Sequence, residues 1–223
     1  MRPQLNKQQR RSVQNPVREQ SQFLTELAED AVAECGLDPA RWEQVLELAS
    51  GLVDSGQLPA LALQWQRWGR ATPVISLGRL SRTDSRPVTS ESCFLIASLT
   101  KPILATAVLL LVEEGRLALN QQVVEIIPEF SEAAKRPITI RHLLTHTSGL
   151  PDMLPHNQKL RRERSPLPRF IEGTCGVSLD FPPGRGSQYQ SMGYALLGEI
   201  IQRVSGRPYG EFLRQRLLLP LGM

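Results

Sequence analysis

Apolar side chains recur at helical spacing between Asp38 and Asp54, where Trp42, Val45, Leu46 and Leu48 are spaced for one face of a 3.6-residue period. Asp38 can cap this stretch and Pro39 suits a first helical turn, so the pattern predicts an amphipathic helix. Leu61 to Trp68 and Val74 to Leu77 carry strand-favouring apolar runs around Gly69 and predict an antiparallel hairpin. From Ser98 to Glu114 the chain is apolar nearly all round, with Pro102 near the start and Gly115 just past the end. That asymmetry predicts a long helix, and its narrow polar edge predicts packing on several sides. Thr139 to Thr145 reads as a short helix capped by Thr139 and closed by the Ser148-Gly149 turn. Leu150 to Gln188, punctuated by Pro and Gly, predicts a mostly irregular excursion with a mobile middle that walls a site. Met192 to Val204, ended by Gly206, and Pro208 to Leu218 predict two more helices.

Composition narrows the setting. A chain of 223 residues with 41% hydrophobic content can bury one substantial core. The net charge of +4 invites a nucleic-acid reading until its location is considered. Arg2, Lys7, Arg10, Arg11 and Arg18 lie in an opening stretch free of acidic residues, and without them the two signs nearly balance. The organisation expected is therefore a basic, disordered leader over 1–37 and one domain over 38–223, with no nucleic-acid partner. A passive tail is favoured over a functional anchor for that leader. It has no apolar run of roughly 7 to 15 residues of the kind a secretory signal uses. The longest apolar stretch, Ile103 to Val112, falls well short of the roughly 20 residues of a membrane span. Cys35, Cys93 and Cys175 are widely spaced and predict free thiols, with neither a disulfide framework nor a metal site.

Candidate chemistry lies at the start of the long helix. Ser98 and Lys101 are three residues apart, and positions i and i+3 share a helical face. A serine hydroxyl becomes a useful nucleophile when a neighbouring base takes its proton, and a desolvated lysine can act as that base. The helix start adds backbone N–H groups and a favourable dipole for a developing oxyanion. Lysine at position 101 is notable because 22 of the 26 basic residues are arginine, whose guanidinium cannot serve as a base. By spacing alone, an exposed serine beside a solvated lysine remains an equal reading. His142 and His146 lie four apart, as in helical zinc sites, but Leu143 stands where such sites place glutamate and no third ligand is evident.

Several blocks in order resolve the Ser-Lys ambiguity. Phe94-Leu-Ile-Ala-Ser-Leu-Thr-Lys101, Leu111-Val-Glu-Glu-Gly-Arg-Leu117, Ile140-Arg-His-Leu-Leu-Thr-His-Thr-Ser-Gly-Leu150, Tyr189-Gln-Ser191, Gly193-Tyr-Ala-Leu-Leu-Gly198 and Pro220-Leu-Gly-Met223 follow one another along the chain. Together they resemble the serine β-lactamase-like family, which includes class C β-lactamases, DD-peptidases and related esterases. The resemblance runs from roughly residue 40 to the end. It implies an α+β, β-lactamase/transpeptidase-like fold, a helical subdomain with an antiparallel sheet of which only the amino-terminal hairpin is present. It also implies a hydrolase forming an acyl-enzyme on Ser98, with Lys101 and Tyr189 moving the proton, on a small-molecule or peptide-like ester, amide or β-lactam. No cofactor and no metal are implied. The compartment expected by default is cytoplasmic, although many such relatives are exported.

The sequence departs from that family's pattern in two places. Ser191 stands where the second motif usually has Asn, and a hydroxyl is shorter than an amide and offers fewer donors. Substrate positioning is affected more than serine activation. The third motif, a Lys-Thr-Gly or His-x-Gly strand, would follow Pro220-Leu-Gly-Met223, so the chain is expected to be a carboxy-terminally truncated member with a bare sheet edge. The alternative to an enzyme is accordingly an inactive fragment, or a binding module that keeps the fold.

Overall fold

The computed structural model describes residues 29–223, and the earlier part of the leader lies outside the described residues. The described chain forms two compact units that divide between Leu95 and Ile96.

The first unit starts inside the stretch assigned to the leader. Helix α1 (Glu29–Glu34) buries Val32, and Cys35 just after it is also buried, so folded chain begins before residue 38. Helix α2 (Pro39–Asp54) opens where expected: the Asp38 carboxylate accepts the Arg41 N–H at 3.0 Å, satisfying one of the donors that a first turn leaves free. Its buried stripe is narrower than the sequence pattern predicts. Trp42, Leu46 and Ala49 face inward at i, i+4, i+7, whereas Val45 and Leu48 are 41% and 67% exposed. The stripe meets the expected hairpin, whose strands β1 (Ala60–Leu63) and β4 (Ile75–Gly78) pair antiparallel with Leu61 opposite Leu77 and Leu63 opposite Ile75. Ile75 and Leu77 alternate onto the buried face and complete the core with Val32 and α2.

The ladder is not continuous. Between β1 and β4 the chain makes a second small ribbon, β2 (Gln66–Arg67) with β3 (Arg70–Ala71), and the Thr72 hydroxyl oxygen accepts the Trp65 N–H at 3.0 Å where the two ribbons meet. Trp68 and Gly69 close the tip with both φ angles positive, the geometry that matches the right-handed twist of a two-residue hairpin loop.

The second unit is helical and is organised by α7 (Met192–Ser205). Leu196, Leu197, Ile200 and Ile201 are fully buried, and α3 (Thr100–Glu113), α4 (Ile140–Leu144), α6 (Leu167–Gly176) and α8 (Tyr209–Leu213) all pack on it. Helix α3 contributes Leu104, Ala107, Val108 and Leu111, a stripe at i, i+3, i+4, i+7. It is less enclosed than its composition predicts, since Leu109 is 49% exposed. Gly115 and Gly206 follow α3 and α7 with φ of 69° and 74°, the left-handed positions that end helices.

The excursion from 150 to 188 is more regular than expected. It contains α5 (Asn157–Arg162) and α6, which the Pro and Gly content concealed because Pro166 and Pro168 sit at the start of α6, where proline is tolerated. Ile171 and Thr174 bury α6 against α7, and Leu154 and Leu160 pack with Met192. Lys135, fully buried, donates to Glu132 at 2.5 Å and to the Cys175 carbonyl at 2.6 Å, holding one of the carbonyls that the last turn of α6 leaves free.

One glycine here has a specific steric duty. Gly149 has φ of +82°, and a Cβ built on it would lie 2.0 Å from the Phe181 carbonyl oxygen. This close approach lets Asp180 N–H donate to the Gly149 carbonyl at 2.7 Å and ties the excursion to the end of the Thr-His-Thr-Ser-Gly segment. Gly149→Ala is expected to cost about 1–3 kcal/mol and lower the thermal midpoint by several degrees, read by circular dichroism. An unchanged midpoint would mean that the two segments separate freely.

Candidate active site

Ser98 sits in a single 3₁₀ turn (Ala97–Leu99) that runs directly into α3. The residue before it, Ala97, has φ of +45°, a left-handed conformation that a Cβ disfavours by roughly 1 to 3 kcal/mol and that is typically retained where a side chain must be aimed. Ser98 is exposed, and the start of α3 places Lys101 one turn on, with Nζ 3.3 Å from Ser98 Oγ. The proximity expected from the i, i+3 spacing in one helix from Ser98 is met by a 3₁₀ turn followed by an α-turn rather than by one continuous helix.

Tyr189 and Ser191 arrive from the segment that leads into α7. The Tyr189 hydroxyl donates to Ser98 Oγ at 2.7 Å, and Lys101 Nζ donates to Ser191 Oγ at 3.2 Å. Ser98, Lys101, Tyr189 and Ser191 therefore form one connected cluster, although the two pairs are some ninety residues apart in sequence. Lys101 Nζ also stands 4.5 Å from the centre of the Tyr189 ring, within cation–π range. The Lys101 ammonium and the Ser98 hydroxyl beside it hold the Tyr189 phenol below its ordinary range.

The support beneath the cluster was only partly legible in sequence. Gln190, between the two site residues, is fully buried; Ser148 Oγ donates to its Oε1 at 2.6 Å and itself accepts the Leu150 N–H at 3.1 Å. Gly193 makes room for that amide, since a Cβ there would meet Gln190 Nε2 at 2.8 Å. His146 Nδ1 accepts the Gln190 N–H at 3.2 Å, and the Ser191 N–H donates to the Asp152 carbonyl at 3.2 Å. The signal for these residues was the Thr145-His-Thr-Ser-Gly149 block, whose role depends on contacts with a distant segment that no local pattern encodes.

His142 does not converge with His146. Its Nδ1 accepts the Thr139 N–H at 3.2 Å in a reciprocal cap of α4, whereas His146 Nδ1 is turned to Gln190. Among the described residues no group of three or more His, Cys, Asp or Glu gathers as a metal site would require.

Residues 43–223 match the family model described as Beta-lactamase. The chain belongs to the beta-lactamase family. Within that family it is 36% identical over 152 residues to penicillin-binding protein 4 of Amycolatopsis lactamdurans and 35% identical over 161 residues to the esterase EstB of Burkholderia gladioli. These alignments take in 67% and 66% of the chain but 39% and 41% of the two relatives, so the chain spans about two-fifths of their length. Among solved structures, the D-amino acid amidase of Ochrobactrum anthropi superposes with a TM-score of 0.68 at 28% identity, covering 78% of this chain and 49% of the amidase. The beta-lactamase/transpeptidase-like fold expected from the sequence is thus the observed one, with helices and a small antiparallel sheet. Relatives of this chain include hydrolases, the esterase and the amidase among them, and among the described residues no helix is long and apolar enough to cross a membrane.

Proposed function

We propose that the protein is a serine hydrolase that forms an acyl-enzyme on Ser98, acting on a small-molecule or peptide-like ester, amide or β-lactam. The observation that carries this reading is the pair of donors on one oxygen: Tyr189 at 2.7 Å and Lys101 at 3.3 Å from Ser98 Oγ. Both lie where a proton leaving the hydroxyl must go. Ser98 Oγ attacks the acyl carbon and a C–O bond forms, while the hydroxyl proton passes to Lys101 Nζ, which has first released one of its own protons to solvent. The bond to the leaving group then breaks, and Tyr189 delivers a proton to the departing atom and regains one from Lys101. Water repeats the sequence in reverse on the acyl-enzyme. The dipole of α3 would favour the negative charge of an oxyanion developing beside its first turn.

Ser191 takes part by holding Lys101. Its hydroxyl accepts from Nζ at 3.2 Å, a bond that the usual amide oxygen at this motif position is also able to accept, while the amide's NH₂ donors are missing. A binding module that keeps the fold is the competing reading, favoured by this replacement, and catalytic turnover separates the two. With an alkyl ester as substrate, whose departing oxygen needs a proton, kcat/KM is expected to fall as pH rises and Tyr189 loses the proton it delivers. Because the folded phenol is held low, the midpoint of that fall should lie below the ordinary value of about 10. Tyr189→Phe should lower kcat about 100-fold and remove that fall. A profile unchanged in the phenylalanine variant would take Tyr189 out of the proton path.

A further inference from the structure

His146 lies outside the Ser-Lys-Tyr cluster but contacts Tyr189 and the residues on either side of it. Its backbone carbonyl accepts the Gln188 N–H at 2.9 Å and its Nδ1 accepts the Gln190 N–H at 3.2 Å, so one residue brackets Tyr189 from both sides along the chain. Its ring also stacks on the Tyr189 ring, centres 4.8 Å apart and tilted by 33°, and on the Tyr194 ring at 5.3 Å. His146 itself is held at φ of +60°, a conformation rare for a residue with a side chain and worth maintaining only where surrounding contacts demand it. Tyr194, in turn, is anchored by donating its hydroxyl to the Leu144 carbonyl at 3.2 Å.

We infer that His146 is a positioning residue that fixes the Tyr189 phenol against Ser98, and that it does so as a neutral imidazole carrying its proton on Nε2. The inference rests on the reading of Ser98 and Tyr189 given above. An imidazole that accepts through Nδ1 must place its single proton on Nε2, and a second proton would put N–H against N–H at Gln190. The charged and titratable groups facing the ring are Lys101 from α3, Asp152 from the segment after α4, and Tyr189 and Tyr194 from the chain entering and forming α7. Burial and the Lys101 ammonium hold the imidazole below the usual histidine range, with Asp152 opposing them. The positioning form is therefore present at neutral pH and lost as the solution becomes acid.

Two substitutions separate the bond from the stack. His146→Phe keeps an aromatic ring but has no acceptor for Gln190. His146→Asn keeps an acceptor near the position of Nδ1 and tolerates a positive φ. Steady-state hydrolysis of p-nitrophenyl butyrate and the rate of Ser98 labelling by a fluorophosphonate are to be measured for both. For His146→Phe, kcat and the labelling rate should fall about 100-fold with KM changed less than about threefold, as expected when a reacting group is misplaced by an ångström or so. His146→Asn should recover kcat to within about tenfold of the original protein. Nitrogen-15 NMR of the original protein at neutral pH should show His146 as the neutral Nε2–H tautomer, a readout that holds even if a variant fails to fold. A phenylalanine variant with the original kcat, a loss confined to KM, or an Nδ1–H or cationic imidazole would each overturn the inference. If the original protein is not labelled at Ser98 at all, the reading of the serine fails and this one falls with it; labelling that persists unchanged in the folded variants fails this inference alone.

Discussion

Replacement of Ser98 by alanine is expected to remove covalent labelling by a fluorophosphonate or penicillin probe and to lower ester turnover by about 10⁴-fold or more. The nucleophile defines the reaction path, and its loss leaves only binding and whatever oxyanion stabilisation persists without an acyl-enzyme. Among the described residues, Ser98 is the serine whose hydroxyl oxygen accepts from both a lysine and a tyrosine. Fold should be little affected, because Ser98 is exposed at the entrance to α3 and contributes nothing to the core around Leu104, Ala107, Val108 and Leu111. A variant with an unchanged thermal transition and no labelling meets the expectation. One that labels as fast as the original protein would move the nucleophile elsewhere.

Lys101→Arg is expected to be almost as damaging, lowering kcat by about 10²- to 10⁴-fold with KM altered much less. The substitution keeps a positive charge that can still bond Ser98 and Ser191, so purely electrostatic support survives. What disappears is the capacity to accept a proton, because a guanidinium stays charged at any working pH. The comparison therefore isolates base chemistry from charge. Near-normal turnover in the arginine variant, measured at saturating p-nitrophenyl butyrate, would assign the base role to Tyr189 alone.

The parts of this fold legible in sequence were those with local causes. Asp38 and Pro39 mark the start of α2, Thr139 caps α4, and Gly115 and Gly206 end α3 and α7, all through interactions within four residues. The hairpin was legible from its apolar runs, but not the break into two ribbons, which depends on Thr72 reaching back to Trp65. Helices α5 and α6 were hidden because proline was read as punctuation, whereas Pro166 and Pro168 mark the start of α6. Folded chain begins earlier than the charge pattern implied, because Val32 and Cys35 are buried despite the basic stretch before them.

The site divides along the same line. Ser98 and Lys101 were singled out by helical spacing, which left an exposed serine beside a solvated lysine equally open until the family resemblance was added. Tyr189 and Ser191 were found by resemblance, since nothing in local spacing brings residues some ninety positions away to the same oxygen. His146 was weighed as a metal ligand because of its distance from His142, and its structural neighbours give it a different use. The ring of His142 turns to its own helix cap and that of His146 to the Tyr189 segment. Lys135 carried no sequence signal, because burial of its ammonium is compensated by a partner at 2.5 Å and a carbonyl forty residues away.

The central claim is that acyl transfer passes through Ser98 Oγ, and the most direct measurement is the location of the covalent adduct. The protein is to be treated with a fluorophosphonate or with penicillin, digested, and the modified peptide sequenced by mass spectrometry. A single adduct on Ser98, with one equivalent bound per chain and none after Lys101→Arg over the same interval, is the predicted result. An adduct on any other residue, or no adduct in protein that shows a cooperative thermal transition, would contradict the account.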